Sequence, residues 1–203
     1  MGKIIITGTG RSGTSAFLRL FTAMGMDTAQ DALYYNPDIN AGFEYLKDLR
    51  TQWSPQVVKD PRLALKLPDL VESGVDISLV FVLIRDLESA TRSRVENDIL
   101  WVPPAAQPVV GGEIEIEDPY MRQLVFNQRL LATLFVDLTI LGIPFLPIHF
   151  PRCAEDFDYL YAKLCAAPLY DQNGDHILHG RAAWFRDVFY SVFDSNLIHH
   201  RKE

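Results

Sequence analysis

The run from Lys3 to Phe21, KIIITGTGRSGTSAFLRLF, leaves a chain few ways to fold. Ile4, Ile5 and Ile6 in succession suit a strand buried on both faces. Gly8-Thr9-Gly10-Arg11-Ser12-Gly13 then makes a tight turn, and from Thr14 the apolar residues Phe17, Leu18, Phe21 and Met24 recur at helical spacing. Strand, glycine turn and helix N-terminus together build an anion site. Backbone N–H groups converge there, and the helix dipole adds partial positive charge. Thr14 and Ser15 bring hydroxyls to the first helical turn, so the expected ligand is a phosphate-like group. The plainer alternative is a turn that only links strand to helix.

Gly8 and Gly13 have the spacing of the Walker pattern G-x-x-x-x-G-K-[ST], but Thr14 stands at the lysine position. Arg11 is the one basic residue inside the turn. Nucleoside-triphosphate enzymes place that lysine on the outer phosphates, so its absence argues against ordinary ATP chemistry. The net charge of −7 argues against a broad nucleic-acid or anionic-membrane footprint. An anionic ligand must therefore be held by local groups.

At 203 residues the chain suits one α/β domain with a substantial core, spanning residues 1–203. The first apolar run leads straight into the glycine turn and reads as a strand, not a signal peptide. The stretch from Leu130 to Ile148 is apolar, but Asp137, Gly142, Pro144 and Pro147 interrupt it, so no integral membrane segment is expected. Cys153 and Cys165 are the only cysteines, which suggests a reducing cytoplasm and no disulfide framework.

Ala41 to Trp53 reads as a helix with Glu44 in its first turn, where a carboxylate is favourable as a cap. Val57-Val58 begins a strand that runs into Lys59-Asp60-Pro61-Arg62. In parallel α/β sheets ligands bind beyond the carboxyl ends of strands, so Lys59 and Arg62 can face an anion. A solvated turn is the alternative. Leu63 to Glu72 looks helical, with Pro68 breaking or kinking it.

Ile77 to Ile84, ISLVFVLI, predicts a central parallel strand that delivers Arg85 to the same sheet edge. A helix through Ser89, Ser93 and Asn97 follows, and Arg85 with Ser93 can grip a second phosphate. Arg92 and Arg94 offer extra charge there, with a solvated helix surface as the plainer alternative. Trp101 to Pro119 carries four prolines and Gly111-Gly112, which makes residues 101–119 a candidate lid or an insertion. Tyr120 to Leu141 predicts a long helix with Met121, Leu124, Val125, Leu131, Leu134, Phe135, Leu138 and Leu141 as its buried stripe. A strand from Phe145 to Phe150, a helix from Ala154 to Ala166 and a helix from Trp184 to Leu197 complete the series. Asp171 to Asp175 reads as a turn, and His176 with His179 lacks a third ligand, so no metal is expected.

These segments together resemble the sulfotransferase family, the P-loop-like enzymes that use 3′-phosphoadenosine 5′-phosphosulfate (PAPS). Gly8 to Ser15 is similar to the family's 5′-phosphosulfate loop, with a basic residue, then Ser-Gly-Thr, and no Walker lysine. The resemblance implies that Gly10, Arg11, Ser12, Gly13, Thr14 and Ser15 hold the phosphosulfate. Arg85 and Ser93, eight residues apart, look like the pair that binds the 3′-phosphate. Lys59-Asp60-Pro61-Arg62 and Asn40-Ala41-Gly42-Phe43-Glu44 resemble segments of bacterial branches. The matches cover Lys3 to Arg94.

The implied fold is a three-layer α/β/α arrangement around a parallel sheet. The implied reaction moves a sulfuryl group from PAPS to a hydroxyl or amine of a small-molecule, carbohydrate or lipid acceptor, leaving PAP and needing no metal. Arg11 and Lys59 would stabilise charge on the leaving side. In the cytosolic branch a catalytic histidine lies two residues after the lysine; Pro61 stands there instead. By analogy with carboxylate-using branches, Glu44 is the first candidate base and Asp60 the second. The family's C-terminal R-K-G-x-x-G segment is absent, with Arg181 and Arg186 as substitutes. A non-catalytic PAP-binding relative and a divergent P-loop kinase or NTPase are the alternatives.

Overall fold

A computed structural model describes residues 2–28, 49, 55–97, 118–170 and 173–193. Four strands form one sheet in the order β2-β1-β3-β4, every pair parallel: β1 is Lys3–Gly8, β2 Val57–Lys59, β3 Ile77–Ile84 and β4 Phe145–His149. The intervening helices are α1 (Thr14–Ala23), α2 (Leu67–Glu72), α3 (Leu87–Glu96), α4 (Pro119–Ile140), α5 (Arg152–Glu155), α6 (Phe157–Cys165) and α7 (Ala182–Val192). The expected three-layer α/β/α fold is the one observed.

Alternation along the central strands decides which helix covers which face. Ile4, Ile6, Leu79, Phe81 and Leu83 join one apolar cluster with Phe17 and Phe21 of α1, Leu160 and Leu164 of α6, and Phe185 and Phe189 of α7. Ile5, Val80 and Val82 point the other way, to Leu67 of α2 and to Phe126, Leu130, Leu134 and Leu138 of α4. On the first face the rings of Phe17, Phe21 and Phe81 meet pairwise with centroids 5.2–5.3 Å apart. Such pairs contribute about 0.5–1.5 kcal/mol each beyond the apolar area they bury. This core fixes α1, and with it the end of the glycine turn.

The strand from Ile77 to Ile84 has the expected bounds. Elsewhere the chain departs from the sequence expectation for local reasons. The segment from Leu63 to Glu72 is a 3₁₀ helix over Pro61–Leu65 followed by α2, with Pro68 in the first turn of α2, where its missing N–H costs nothing. Ala154 to Ala166 is two helices, because Asp156 is extended and its carboxylate accepts from the Tyr159 N–H to start α6. The last helix begins earlier than expected, at Ala182, and is described to Val192. Pro147 lies within β4, the last strand of the order, where a missing N–H is tolerated.

In α4 the buried stripe differs from the expected one toward the N-terminus. Met121 is exposed, while Gln123, Phe126, Asn127 and Leu130 are buried. Two polar side chains on that face are satisfied internally. Gln123 Nε2 donates to Asn127 Oδ1 at 2.9 Å, and Asn127 Nδ2 donates to Thr91 Oγ1 of α3 at 3.0 Å. A fully buried chain of this kind ties α3 to α4.

Among the described residues no helix is long and apolar enough to cross a membrane. Of the expected lid, Asp118 caps α4 through the Tyr120 N–H and Pro119 is its first residue. Residues 101–117 lie outside the described residues, as do Tyr34, Tyr35 and the predicted helix from Ala41 to Trp53 apart from Leu49.

Candidate functional site

The strand order places a switch point between β1 and β3. From β1 the chain passes to β2 on one side, and β3 lies on the other. The crevice beyond their carboxyl ends is where open parallel sheets receive ligands. The glycine turn occupies that position, between Gly8 at the end of β1 and Thr14 at the start of α1.

Its backbone is held in conformations few side chains accept. Gly10 has φ 70°, Arg11 φ 55° and Gly13 φ 82°. For Arg11 this is the left-handed region, a cost of about 1–3 kcal/mol that persists only where surroundings impose it. Gly13 is the N-cap of α1 and no side chain caps that end. A Cβ on Gly13 would run into the ring of Phe150, which follows β4. Helix α1 therefore starts at a glycine, which has no side chain with which to cap it.

Three basic residues converge on the turn. Arg85, just past β3, donates from Nη1 to the Arg11 carbonyl at 3.0 Å. Arg11 donates from Nε to Ser93 Oγ of α3 at 3.1 Å. Arg94, the next residue of α3, donates from Nε and Nη2 to the Thr9 carbonyl at 3.1 and 2.9 Å. Arg85 also lies over the Phe150 ring, 5.8 Å from its centroid.

Burial pulls the Arg11 pKa below its ordinary value, and the neighbouring Arg85 charge pulls it further. The Arg85 pKa is likewise lowered by burial, with partial relief from Asp86. Both guanidinium groups stay charged at neutral pH, so the direction reports electrostatic stress rather than deprotonation.

Of the residues singled out from sequence, the structure brings together Gly10, Arg11, Ser12, Gly13, Thr14, Ser15, Arg85 and Ser93. Ser12 Oγ is fully buried without a hydrogen-bond partner. It would lie 3.0 Å from a Cβ on Gly8, which places the hydroxyl under the turn, at the end of β1. Ser12 can therefore offer a ligand its N–H more readily than its hydroxyl. Lys59 is buried at the end of β2, paired in register with Ile6 of β1. Thr7 Oγ1 lies 3.2 Å from the Asp60 carbonyl and 3.3 Å from that of Pro61, joining the two strand ends.

Asp60 is differently employed. Its Oδ1 accepts from the Arg62 N–H at 2.8 Å, capping the 3₁₀ helix, and its carboxylate pairs with the Arg62 guanidinium at 2.8–3.2 Å. Glu44 lies outside the described residues. His176 is held by backbone: Nδ1 accepts from the Leu178 N–H at 3.2 Å, which leaves Nε2 to donate to the Ala167 carbonyl at 3.0 Å.

Arg94, which the sequence offers as extra charge or as a solvated helix residue, bonds the turn from inside the protein. It is buried rather than solvated, whereas Arg92 is exposed. The available signal was helical phase, since Ala90, Thr91 and Arg94 share a stripe at 3.6-residue spacing.

Neither a scan against models of known protein families nor a search of curated proteins finds a match to this chain.

Proposed function

We propose that the protein is a sulfotransferase of the PAPS-using type, binding the donor across the crevice between β1 and β3. One observation carries this reading. Arg85 and Ser93 are each hydrogen-bonded to Arg11 of the glycine turn, so a second anion-binding pair adjoins the first. A ligand with two anionic ends joined through a ribose uses both. The 5′-phosphosulfate would lie on the N–H groups of Ser12 to Ser15 with Arg11 beside it. The 3′-phosphate would lie at Arg85 and Ser93.

The chemistry follows from charge. The acceptor oxygen forms a bond to sulfur as the bond from sulfur to the phosphate oxygen breaks, and negative charge builds on the leaving phosphate. Arg11, Lys59 and the turn amides stabilise that charge, an effect that preorganised donors supply without reorganisation. The acceptor's proton passes to a base. Glu44 takes that role in this reading, because Asp60 is engaged by Arg62. The acceptor is a hydroxylated or aminated small molecule, carbohydrate or lipid, and the location is the cytoplasm.

Engagement of Asp60 favours one other reading, a nucleotide-binding relative without transferase activity. Two measurements separate them. PAP should raise the melting temperature while ATP with magnesium does not, since a ligand bound only by the native state stabilises it. Incubation with PAPS and a panel of hydroxylated acceptors should give sulfated product by mass spectrometry. PAP binding without product leaves the binder, and ATP–magnesium binding without PAP binding leaves a divergent kinase or NTPase.

A further inference from the structure

We propose that Arg94 is the positioning residue of the anion turn. From inside the protein it holds the turn's carbonyl face, so that the amide face is left to the ligand. This rests on the reading of the turn as an anion cradle.

The geometry is specific to a guanidinium. Arg94 is 5% exposed, and two of its N–H groups meet one acceptor, the Thr9 carbonyl. The same group fills the space beside Gly10: a Cβ there would overlap Nη2 and sit 3.0 Å from Cζ. The missing side chain of Gly10 and the reach of Arg94 are thus complementary. A planar fork places two donors on one oxygen, which the compact ammonium of lysine does not reproduce.

Two consequences follow for an anion. A carbonyl turned toward a phosphate repels it, and tying the Thr9 carbonyl to a cation fixes its dipole away from the amides. The fork also occupies the space beside Gly10, which keeps the turn backbone in the position that an anion would meet. Arg94 and Ser93 are consecutive residues of α3, and each is bonded to a different part of the turn. Helix α3 is in turn anchored by Thr91 on Asn127 of α4. One rigid helix therefore sets the position of the turn backbone and of the Arg11 side chain together.

The test is calorimetric binding of pyrophosphate and of PAP to the full chain carrying Arg94→Met, Arg94→Lys or Leu130→Ala. Leu130 is buried in the α4 core and serves as the control for destabilisation alone. Hydrogen bonds from a charged group typically carry enough energy that Arg94→Met should weaken pyrophosphate about tenfold or more. Arg94→Lys keeps the charge and loses the fork, and should bind several-fold more weakly than the unaltered chain. It carries the test if Arg94→Met does not fold. Leu130→Ala should lower the melting temperature and leave affinity unchanged. In Arg94→Ala, methylguanidinium in solution should restore part of the pyrophosphate affinity.

Unchanged pyrophosphate affinity in Arg94→Met or Arg94→Lys overturns the proposal, as does a matching loss of affinity in Leu130→Ala. It is equally overturned if the unaltered chain binds no pyrophosphate. Pyrophosphate binding that depends on Arg94, with no binding of PAP, removes the sulfotransferase reading and leaves the role of Arg94 standing.

Discussion

Two regions at the carboxyl edge of the sheet carry basic residues, and they use them in opposite ways. At the end of β2, Arg62 folds back on Asp60, two residues away, and the pair neutralises itself while capping a 3₁₀ helix. At the ends of β1 and β3, Arg85 and Arg94 reach across 74 and 85 residues of chain to backbone carbonyls, and Arg11 reaches across 82 to a hydroxyl. Bonds to backbone and hydroxyl oxygens far away in sequence fix where these guanidinium groups sit. The first arrangement is a local structural device. The second joins β1, β3 and α3 at the proposed anion site, and proximity of cations alone does not tell the two apart.

The contrast is most exposed by truncating one arginine from each end. If the protein carries the proposed activity, Arg11→Ala should slow sulfuryl transfer about 10²–10³-fold, the cost of removing one preorganised donor from developing charge. Circular dichroism should show the fold intact. Arg62→Ala should leave transfer within a few-fold of the unaltered chain. Equal losses in the two variants would erase the distinction between them.

A smaller effect tests whether the turn is held in place or merely folds that way. Gly13 and Gly74 have similar backbone angles, φ 82° and 84°, but only at Gly13 would a Cβ meet anything, the Phe150 ring. Alanine at Gly74 costs the left-handed conformation alone, about 1 kcal/mol. Alanine at Gly13 adds overpacking of roughly 1–3 kcal/mol. In a chain of this length each kcal/mol lowers the melting temperature by about 2–4 °C. Calorimetric scans of both variants should separate by several degrees. Coincident scans would mean that Phe150 yields freely.

At the other strand end the expected loss is smaller still. Asp60→Ala removes a helix cap, worth about 1 kcal/mol, and with it the acceptor of the Arg62 guanidinium. Urea unfolding should report that loss while PAP affinity stays as it was.

Much of this was legible before any coordinates. The six contiguous apolar residues from Leu79 to Ile84 mark Ile77–Ile84 as a central strand, and a strand followed by Gly8 to Gly13 marks the turn. Arg85 and Ser93 could be paired because both belong to one strand–helix unit, and their meeting with Arg11 follows once β1 and β3 are neighbours. Arg94 was not legible as a partner of the turn, since what it binds is the main-chain oxygen of Thr9, and backbone carbonyls leave no mark in sequence. Gln123 and Asn127 were hidden by the opposite error. Polar residues one helical turn apart read as a wet face, yet here they satisfy each other and Thr91 in the core. Asp156 did carry a signal, an acidic residue opening a helix with Asp158 in its first turn, and the break it makes was readable.

The smallest expected effect concerns Asp86, the carboxylate next to Arg85 in sequence. Its pKa is lowered below the ordinary 3.8, first by hydrogen bonds from Ser89 and then by the charges of Arg85 and Arg92. A carboxylate with a depressed folded pKa contributes stability above its unfolded pKa. That contribution is lost as pH falls through the folded value, so it disappears at acid pH. Because Asp86 is exposed, solvent screening keeps the contribution small. Asn caps a helix about as well as Asp, so Asp86→Asn removes the titration and keeps the cap. Urea unfolding at about pH 6 and about pH 3 should therefore show the unaltered chain losing slightly more stability than the variant. The same change removes the carboxylate that partly offsets Arg85, so pyrophosphate should bind slightly more tightly to the variant at neutral pH. Weaker binding would mean that Asp86 acts on the cradle through the position of α3, which it caps, and that its charge is secondary.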